Sequence, residues 1–274
     1  MPGPGTGAHG GSAARPYTRA VRLPIATGML LAAAMASSAL ASAPDIAWTQ
    51  IAMRPHDPRA FTEGLVAHGR VLLESTGLEG RSSVRRVDPA TGRVLRITRN
   101  PARIFGEGLT VLKGSAWQLT WRNRVINVFA PTSLRRKVTR PYRFEGWGLT
   151  TDGTSLIASD GSPTVRWLSP GSLTVQRTIS VHDDDTAIGR LNELEMIDGV
   201  LWSNVWLTSR IALIDPADGH VRAWLDLSSL NPGFSDPDAV MCGIAVDPLT
   251  HLPVVTGKFW PHMYVIRLDA PIPA

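Results

Sequence analysis

The chain has 274 residues, of which 43% are hydrophobic and 19% charged. That globular balance excludes disorder as the default and leaves room for one large β-domain or two smaller ones. Formal net charge is +5; Arg15, Arg19 and Arg22 supply three of those charges, and no Lys/Arg run interleaved with aromatic residues follows, which excludes nucleic acid as an expected partner.

Residues 1–14 are rich in Gly, Ala and Ser and read as a disordered extension. The basic stretch 15–22 then leads into an apolar run, 23–40, that ends at Ala41-Ser42-Ala43. Basic segment, apolar run and small-residue site, in that order, are a secretory signal peptide, here 1–43 with cleavage after Ala43. A retained membrane anchor is the weaker alternative, because Pro24, Thr27 and two Ser interrupt a run that spans only marginally. The reading implies a periplasmic or secreted protein with no stable membrane association after cleavage, and places a single domain at 44–274.

Within 44–274 one pattern recurs. Phe61-Thr62-Glu63-Gly64-Leu65, Phe105-Gly106-Glu107-Gly108-Leu109, Glu145-Gly146-Trp147-Gly148-Leu149, Leu191-Asn192-Glu193-Leu194-Glu195 and Met241-Cys242-Gly243-Ile244-Ala245 each precede a turn and a short apolar strand. With Glu63, Glu107, Trp147, Glu193 and Cys242 taken as equivalent, the steps are 44, 40, 46 and 49 residues. Each unit adds a further strand, and two of them add an Asp-Pro-Ala-x-Gly turn, at Asp88 and Asp215. Units of about forty residues built from short strands, repeated five times, predict an all-β, five-bladed β-propeller. The segment 48–53 precedes the first unit and is expected to join the last blade and close the ring, which removes an open sheet edge.

Ring closure makes equivalent positions converge at one end of the axis. Besides the five residues above, the reading gathers there Glu74, Gln118 with Trp121, Asp160, Asn204 with Trp206, and Lys258 with Trp260. Each unit offers a different polar or aromatic group, which suits an asymmetric ligand. Nine Trp stand against three Tyr. Trp121, Trp147, Trp206 and Trp260 are expected to wall a pocket, and Trp167, Trp202 and Trp224 to pack between blades, with Trp48 on the closing strand. Cys242 is the single cysteine, so no intramolecular disulfide and no cysteine-based zinc site can form. The seven His hold no i, i+4 pair, and Asp183-Asp184-Asp185 lacks the alternating spacing of a calcium loop. No metal and no cofactor is expected.

The ordered set of Phe61-Thr62-Glu63-Gly64-Leu65, Phe105-Gly106-Glu107-Gly108-Leu109-Thr110, Gln118-Leu119-Thr120-Trp121, Glu145-Gly146-Trp147-Gly148-Leu149-Thr150, Ser159-Asp160-Gly161-Ser162, Leu191-Asn192-Glu193-Leu194-Glu195, Asn204-Val205-Trp206 and Thr256-Gly257-Lys258-Phe259-Trp260-Pro261 resembles the plant and bacterial glutaminyl-peptide cyclotransferases over roughly 46–268. The resemblance implies a metal-independent five-bladed propeller that cyclises N-terminal glutamine of peptides or proteins to pyroglutamate and releases ammonia; a monomer is expected. It maps the proton-transfer residue to Glu107. Glu63 and Cys242 depart from the family, which usually has Gln and Asn there.

The chemistry is an internal aminolysis. It needs an acid–base group, for which Glu107 is the candidate, and donors for the developing oxyanion, for which Lys258, Gln118 and Asn204 are candidates. Glu63 and Glu193 are placed to anchor the substrate ammonium, with Asn192, Asp160 and the four Trp completing the substrate-binding set. Two other classes remain open: a propeller that binds peptides without turnover, and a calcium-dependent lactonase-type propeller with Glu63, Asn192 and Asn204 as nominal ligands.

Overall fold

Short β-branched strands punctuated by Gly-containing turns leave the chain few options other than antiparallel hairpins, and twenty-two strands form among the described residues. A computed structural model describes residues 42–274. The expected signal peptide falls almost wholly outside the described residues. No helix among the described residues is long and apolar enough to cross a membrane.

Five four-stranded antiparallel sheets form in chain order. Blade one is Thr62–His68, Val71–Thr76, Ser83–Val87 and Val94–Arg99. Blade two is Gly106–Leu112, Ser115–Thr120, Val125–Phe129 and Arg136–Pro141, and blade three Leu149–Thr151, Leu156–Ala158, Thr164–Leu168 and Val175–Ser180. A two-residue hairpin, His182–Asp183 with Thr186–Ala187, follows. Blade four is Leu191–Ile197, Val200–Val205, Arg210–Ile214 and Val221–Asp226. Blade five takes Met241–Val246, Pro253–Gly257 and His262–Leu268 from the end of the chain and its outermost strand, Trp48–Pro55, from the beginning. Trp48 pairs with Leu268 and Pro55 with His262, so the ring closes as the repeat demanded. Just before that strand, two main-chain bonds tie the entering chain to blade four: Ile46 N donates to Trp224 O, and Trp224 N to Pro44 O, each at 2.9 Å.

Burial follows strand position within a blade. Innermost strands are buried almost throughout, whereas outermost strands such as Val94–Arg99 and Arg136–Pro141 are mostly exposed. The apolar clusters lie between neighbouring blades. Trp202 packs with Met241, Ile244 and Val255 of blade five, and Trp167 and Trp224 pack with Leu194 and Val181. Trp48 packs against the first of these clusters and gives its indole N–H to Asp226 O at 2.8 Å. These four tryptophans hold the ring together, as the sequence implied.

Every full-length innermost strand carries a register break at the same place. It falls between Thr62 and Gly64, Gly106 and Leu109, Leu191 and Leu194, and Met241 and Ile244. Such a bulge re-aims one side chain out of the ladder. The leucine (or isoleucine) that follows it aligns the blades: Leu65, Leu109, Leu149, Leu194 and Ile244. The residue two before is Glu63, Glu107, Trp147, Asn192 and Cys242. Asn192, not Glu193, is therefore the blade-four equivalent. Glu193 occupies the place that Gly64, Gly108, Gly148 and Gly243 hold elsewhere.

Backbones meet at those glycines. A Cβ on Gly148 would lie 2.0 Å from Asn192 O, and one on Gly108 2.3 Å from Leu149 N. Between blades four and five a side chain takes over. The Glu193 carboxyl accepts from Ile244 N at 2.9 Å and, across the axis, from Leu65 N at 3.2 Å. Two residues on, Glu195 is buried and accepts from the Thr150 hydroxyl at 2.9 Å.

Burial pushes Glu193 well above the carboxylate range and raises Glu195 from its ordinary 4.5 to about 8. An unfolded chain releases the Glu195 proton near 4.5, while the folded chain keeps it to about 8. Over that window the unfolded state binds fewer protons, so stability falls as pH rises. Glu195→Gln is expected to flatten the decline by about 1.4 kcal/mol per pH unit, read from urea midpoints at pH 5 and pH 8.

Candidate active site

Two positions in each blade build the site. One is the bulge residue of the innermost strand. The other lies just past the second strand, three residues beyond the partner of the aligning leucine or isoleucine: Gly77, Trp121, Gly161, Trp206 and Lys258, set by the pairings of Leu65 with Glu74, Leu109 with Gln118, Leu149 with Ala158, Leu194 with Ser203 and Ile244 with Val255. Seven of these ten, Glu63, Glu107, Trp121, Trp147, Asn192, Trp206 and Lys258, line one cavity of about 210 Å³. Phe61, Phe105, Leu78 and Asp238 complete it.

Aromatic rings form the wall. Phe61 meets Phe105 edge-on with centroids 5.9 Å apart, and Phe105 lies 5.5 Å from Trp121. On the far side Trp147 and Trp206 meet at 5.6 Å and 85°. Glu145 joins the two sides, since one of its oxygens accepts the indole N–H groups of both Trp121 and Trp147, the latter at 3.3 Å. Gly161, at φ +80, lies under Trp147, where a Cβ would come within 2.9 Å of the ring.

The floor is charged. Lys258 Nζ lies 2.9 Å from Glu63 Oε1 and 4.5 Å from the centre of the Phe61 ring. Cys242 sits directly beneath, its Sγ 3.6 Å from Glu63 Oε2 and 3.7 Å from Asn192 Nδ2. Asn192 Oδ1 is buried with no partner among the described residues.

Glu107 is 6% exposed and lines the cavity. None of the described residues hydrogen-bonds its carboxyl. Burial, and next the Glu63 charge, push its pKa well above the carboxylate range, against a smaller pull from Lys258. Glu63 is also raised by burial, with Lys258 opposing. Burial lowers the Lys258 pKa, but Glu63, Cys242 and Glu107 outweigh it and the ammonium persists. A protonatable carboxyl thus faces a fixed cation inside an aromatic cup.

Six residues read as part of the site from sequence lie elsewhere. Gln118 is fully buried between blades one and two, giving Nε2 to Ser75 Oγ at 2.8 Å and accepting from Asn100 at 3.0 Å. Asn204 braces the bulge of blade five by accepting from Gly243 N at 3.3 Å. Asp160 closes its own turn and pairs with Arg166 at 2.6 Å. Glu193 fills the axis. Trp260 is fully buried, giving its N–H to Ala239 O at 3.1 Å, its ring against Gly257. Glu74 likewise binds Arg85 and His56 rather than facing the cavity. Phe61 and Phe105 were legible in sequence, each two residues before the bulge glutamate. Glu145 holds the same place before Trp147.

The glutamine cyclotransferase family model matches residues 23–268. A glutaminyl-peptide cyclotransferase of Arabidopsis thaliana is 39% identical over 224 residues, covering 80% of this chain and 70% of the plant protein. The crystal structure of Myxococcus xanthus glutaminyl cyclase superposes with a TM-score of 0.78 at 32% identity, covering 83% of this chain and 98% of that one. With both the fold and the ordered motifs accounted for, the chain belongs to the glutamine cyclotransferase family.

Proposed function

We propose that this chain is a glutaminyl-peptide cyclotransferase in which Glu107 moves the proton. The observation that carries the reading is a buried carboxyl, unbonded by protein, in an aromatic cavity beside a fixed ammonium. The α-amine of an N-terminal glutamine attacks its own side-chain carbonyl carbon. The C–N bond forms, and Glu107 takes the proton that the nitrogen can no longer hold. Glu107 then returns that proton to the side-chain nitrogen, the old C–N bond breaks, and ammonia leaves. Lys258 and Asn192 are the donors that reach the cavity to receive the charge on the carbonyl oxygen. The ring walls hold the side chain curled toward its own amine, and positioning of this kind supplies up to about 7–11 kcal/mol. Glu63 keeps Lys258 charged and in place.

The lactonase alternative needs Glu63, Asn192 and Asn204 around one ion. Glu63 is bound to Lys258, and the Asn204 side-chain carbonyl oxygen is committed to the backbone of blade five, so neither is free to ligate an ion. Binding without turnover is separated by assay: purified protein with a Gln-initiated peptide must release ammonia, with or without EDTA. We further propose that the chain is exported, loses 1–43 and acts as a monomer; N-terminal sequencing of the mature protein, expected to begin at Pro44, and its sedimentation test this.

The pH profile carries a signed expectation. Glu107 accepts a proton only when ionised, so kcat/KM rises with pH through its raised pKa. Glu63→Gln removes the neighbouring negative charge and releases Lys258 from its pairing. Both changes favour the ionised form of Glu107. The rising limb should move to lower pH in the variant, and an unmoved limb would assign it to another group.

A further inference from the structure

Charge is divided unequally along the chain. Residues 62–143, which hold blades one and two, contain fourteen Arg and two Lys against five acids, whereas 144–274 contain six Arg and one Lys against sixteen acids. Blades one and two therefore form a cationic side of a propeller whose other side is anionic.

Part of that charge is gathered beside the cavity. A groove of about 460 Å³ shares Phe61 and Leu78 with it. Arg59, Arg81, Arg85 and Arg99 line this groove, with Asp57 as the sole acid in the lining. Asp57 is already committed, at 2.9 Å to Arg85 and 3.1 Å to Arg59. Arg81 and Arg99 are exposed and have no acidic partner among the described residues. Arg81 instead gives Nη2 to the Arg59 carbonyl at 3.3 Å, which brings two arginines together. Arg85 is 5% exposed, and its Nε has no partner among the described residues. Leu78 separates the two hollows from a left-handed backbone (φ 72) in the loop after Gly77. Asp57 is shared between Arg59 and Arg85, so Arg81 and Arg99 keep charge that no ion pair answers, and an arriving anion relieves their repulsion.

On this ground we propose that the groove is a subsite for acidic residues just downstream of the terminal glutamine, so that the enzyme selects substrates with acidic N-terminal segments. The inference rests on the reading under Proposed function. A substrate chain carries its ammonium at the head, where Glu63, Glu107 and Asp238 line the cavity against one cation, Lys258, and must leave across the rim. Phe61 and Leu78 form the rim that opens onto Arg81 and Arg99. The order of charges along the path, acidic and then basic, matches a peptide that is cationic at its end and anionic behind it.

The test uses C-terminally dye-labelled peptides that share an N-terminal Gln-Ala and continue with acidic, neutral or basic residues. Binding by fluorescence anisotropy and turnover by ammonia release are measured in parallel, for the wild type and for Arg81→Glu/Arg99→Glu. Both positions are exposed, and circular dichroism confirms folding. The acidic peptide is expected to show a Kd and KM about tenfold below the neutral one at low salt. The advantage should shrink at about 0.5 M salt and vanish or invert in the double variant. Equal binding of acidic and neutral peptides by the wild type overturns the subsite, whether or not ammonia is released. An acidic preference that survives in the double variant also overturns it. Binding to vesicles of anionic phospholipid that requires Arg81 and Arg99, without any peptide preference, would overturn the peptide subsite and reassign the groove to a membrane surface. If no peptide releases ammonia yet the acidic one binds tighter through these arginines, the catalytic reading falls and the groove stands.

Discussion

Glu107→Gln is expected to lower kcat for a Gln-initiated peptide by about 10²–10⁴, the usual worth of a positioned acid–base group, while KM changes little. The substitution is nearly isosteric and removes only the capacity to carry a proton. It is also a clean test, because none of the described residues hydrogen-bonds the Glu107 carboxyl. No buried donor is orphaned when the carboxyl goes. Burial and the Glu63 charge already act against its ionised form, so an uncharged amide should leave stability unchanged or raise it slightly. Lost turnover with an unchanged or higher melting temperature therefore points to chemistry rather than to damage. Unchanged turnover would pass the proton-transfer role to Glu63, the other carboxyl lining the cavity beside Lys258.

The fold was legible because its signal repeats. Five turn-punctuated units, four of them with glycine before the aligning leucine or isoleucine, and a leftover N-terminal segment determine blade number and closure, since an unpaired fifth edge would have no partner. The site was legible only where one residue per unit stands out. Glu63, Glu107, Trp121, Trp147, Trp206 and Lys258 do, and the ring brings them together. Blade four misleads because it lacks the glycine. Asn192 and Glu193 are both polar, and the bulge sets both against Asn204 of the neighbouring strand, so spacing alone does not say which one faces out. A similar ambiguity separates Lys258 from Trp260. Both follow the strand closely, but Trp260 folds back onto Gly257 and is lost from the cavity. Gln118 and Asn204 share the polarity of site residues, yet their amides serve neighbouring blades. Sequence shows that a polar side chain is buried; its partner is a tertiary fact.

Lys258→Met should damage both stability and rate, and the two effects can be separated. Methionine keeps most of the side chain's length and its contact with Phe61 but removes the ammonium that lies 2.9 Å from Glu63. Breaking a buried pair from one side costs about 3–5 kcal/mol when the remaining charge stays ionised. Glu63 escapes part of that cost by taking up a proton. Its folded-state pKa, already raised by burial, rises further once the opposing cation is gone. Unfolded-state ionisation of Glu63 is common to both chains and cancels, so the penalty is small until Glu63 ionises in the folded wild type, above its ordinary 4.5, and grows as pH rises further. Urea midpoints of variant and wild type should therefore converge near the ordinary carboxylate pKa of 4.5 and separate toward pH 8. Adding Glu63→Gln removes the stranded carboxyl, and the double variant should regain most of the loss at pH 8. Activity should not return with it. An oxyanion donor is worth about 10²–10³ in kcat, and neither the methionine nor the amide introduced by Glu63→Gln puts an ammonium at that point of the floor. In the single variant the loss of the cation also raises the Glu107 pKa, because Lys258 acts to lower it, which displaces the rising limb of the pH profile upward. A double variant that recovers both stability and wild-type kcat would show Lys258 to be only the counter-ion of Glu63, and would leave Asn192 as the donor to the carbonyl oxygen.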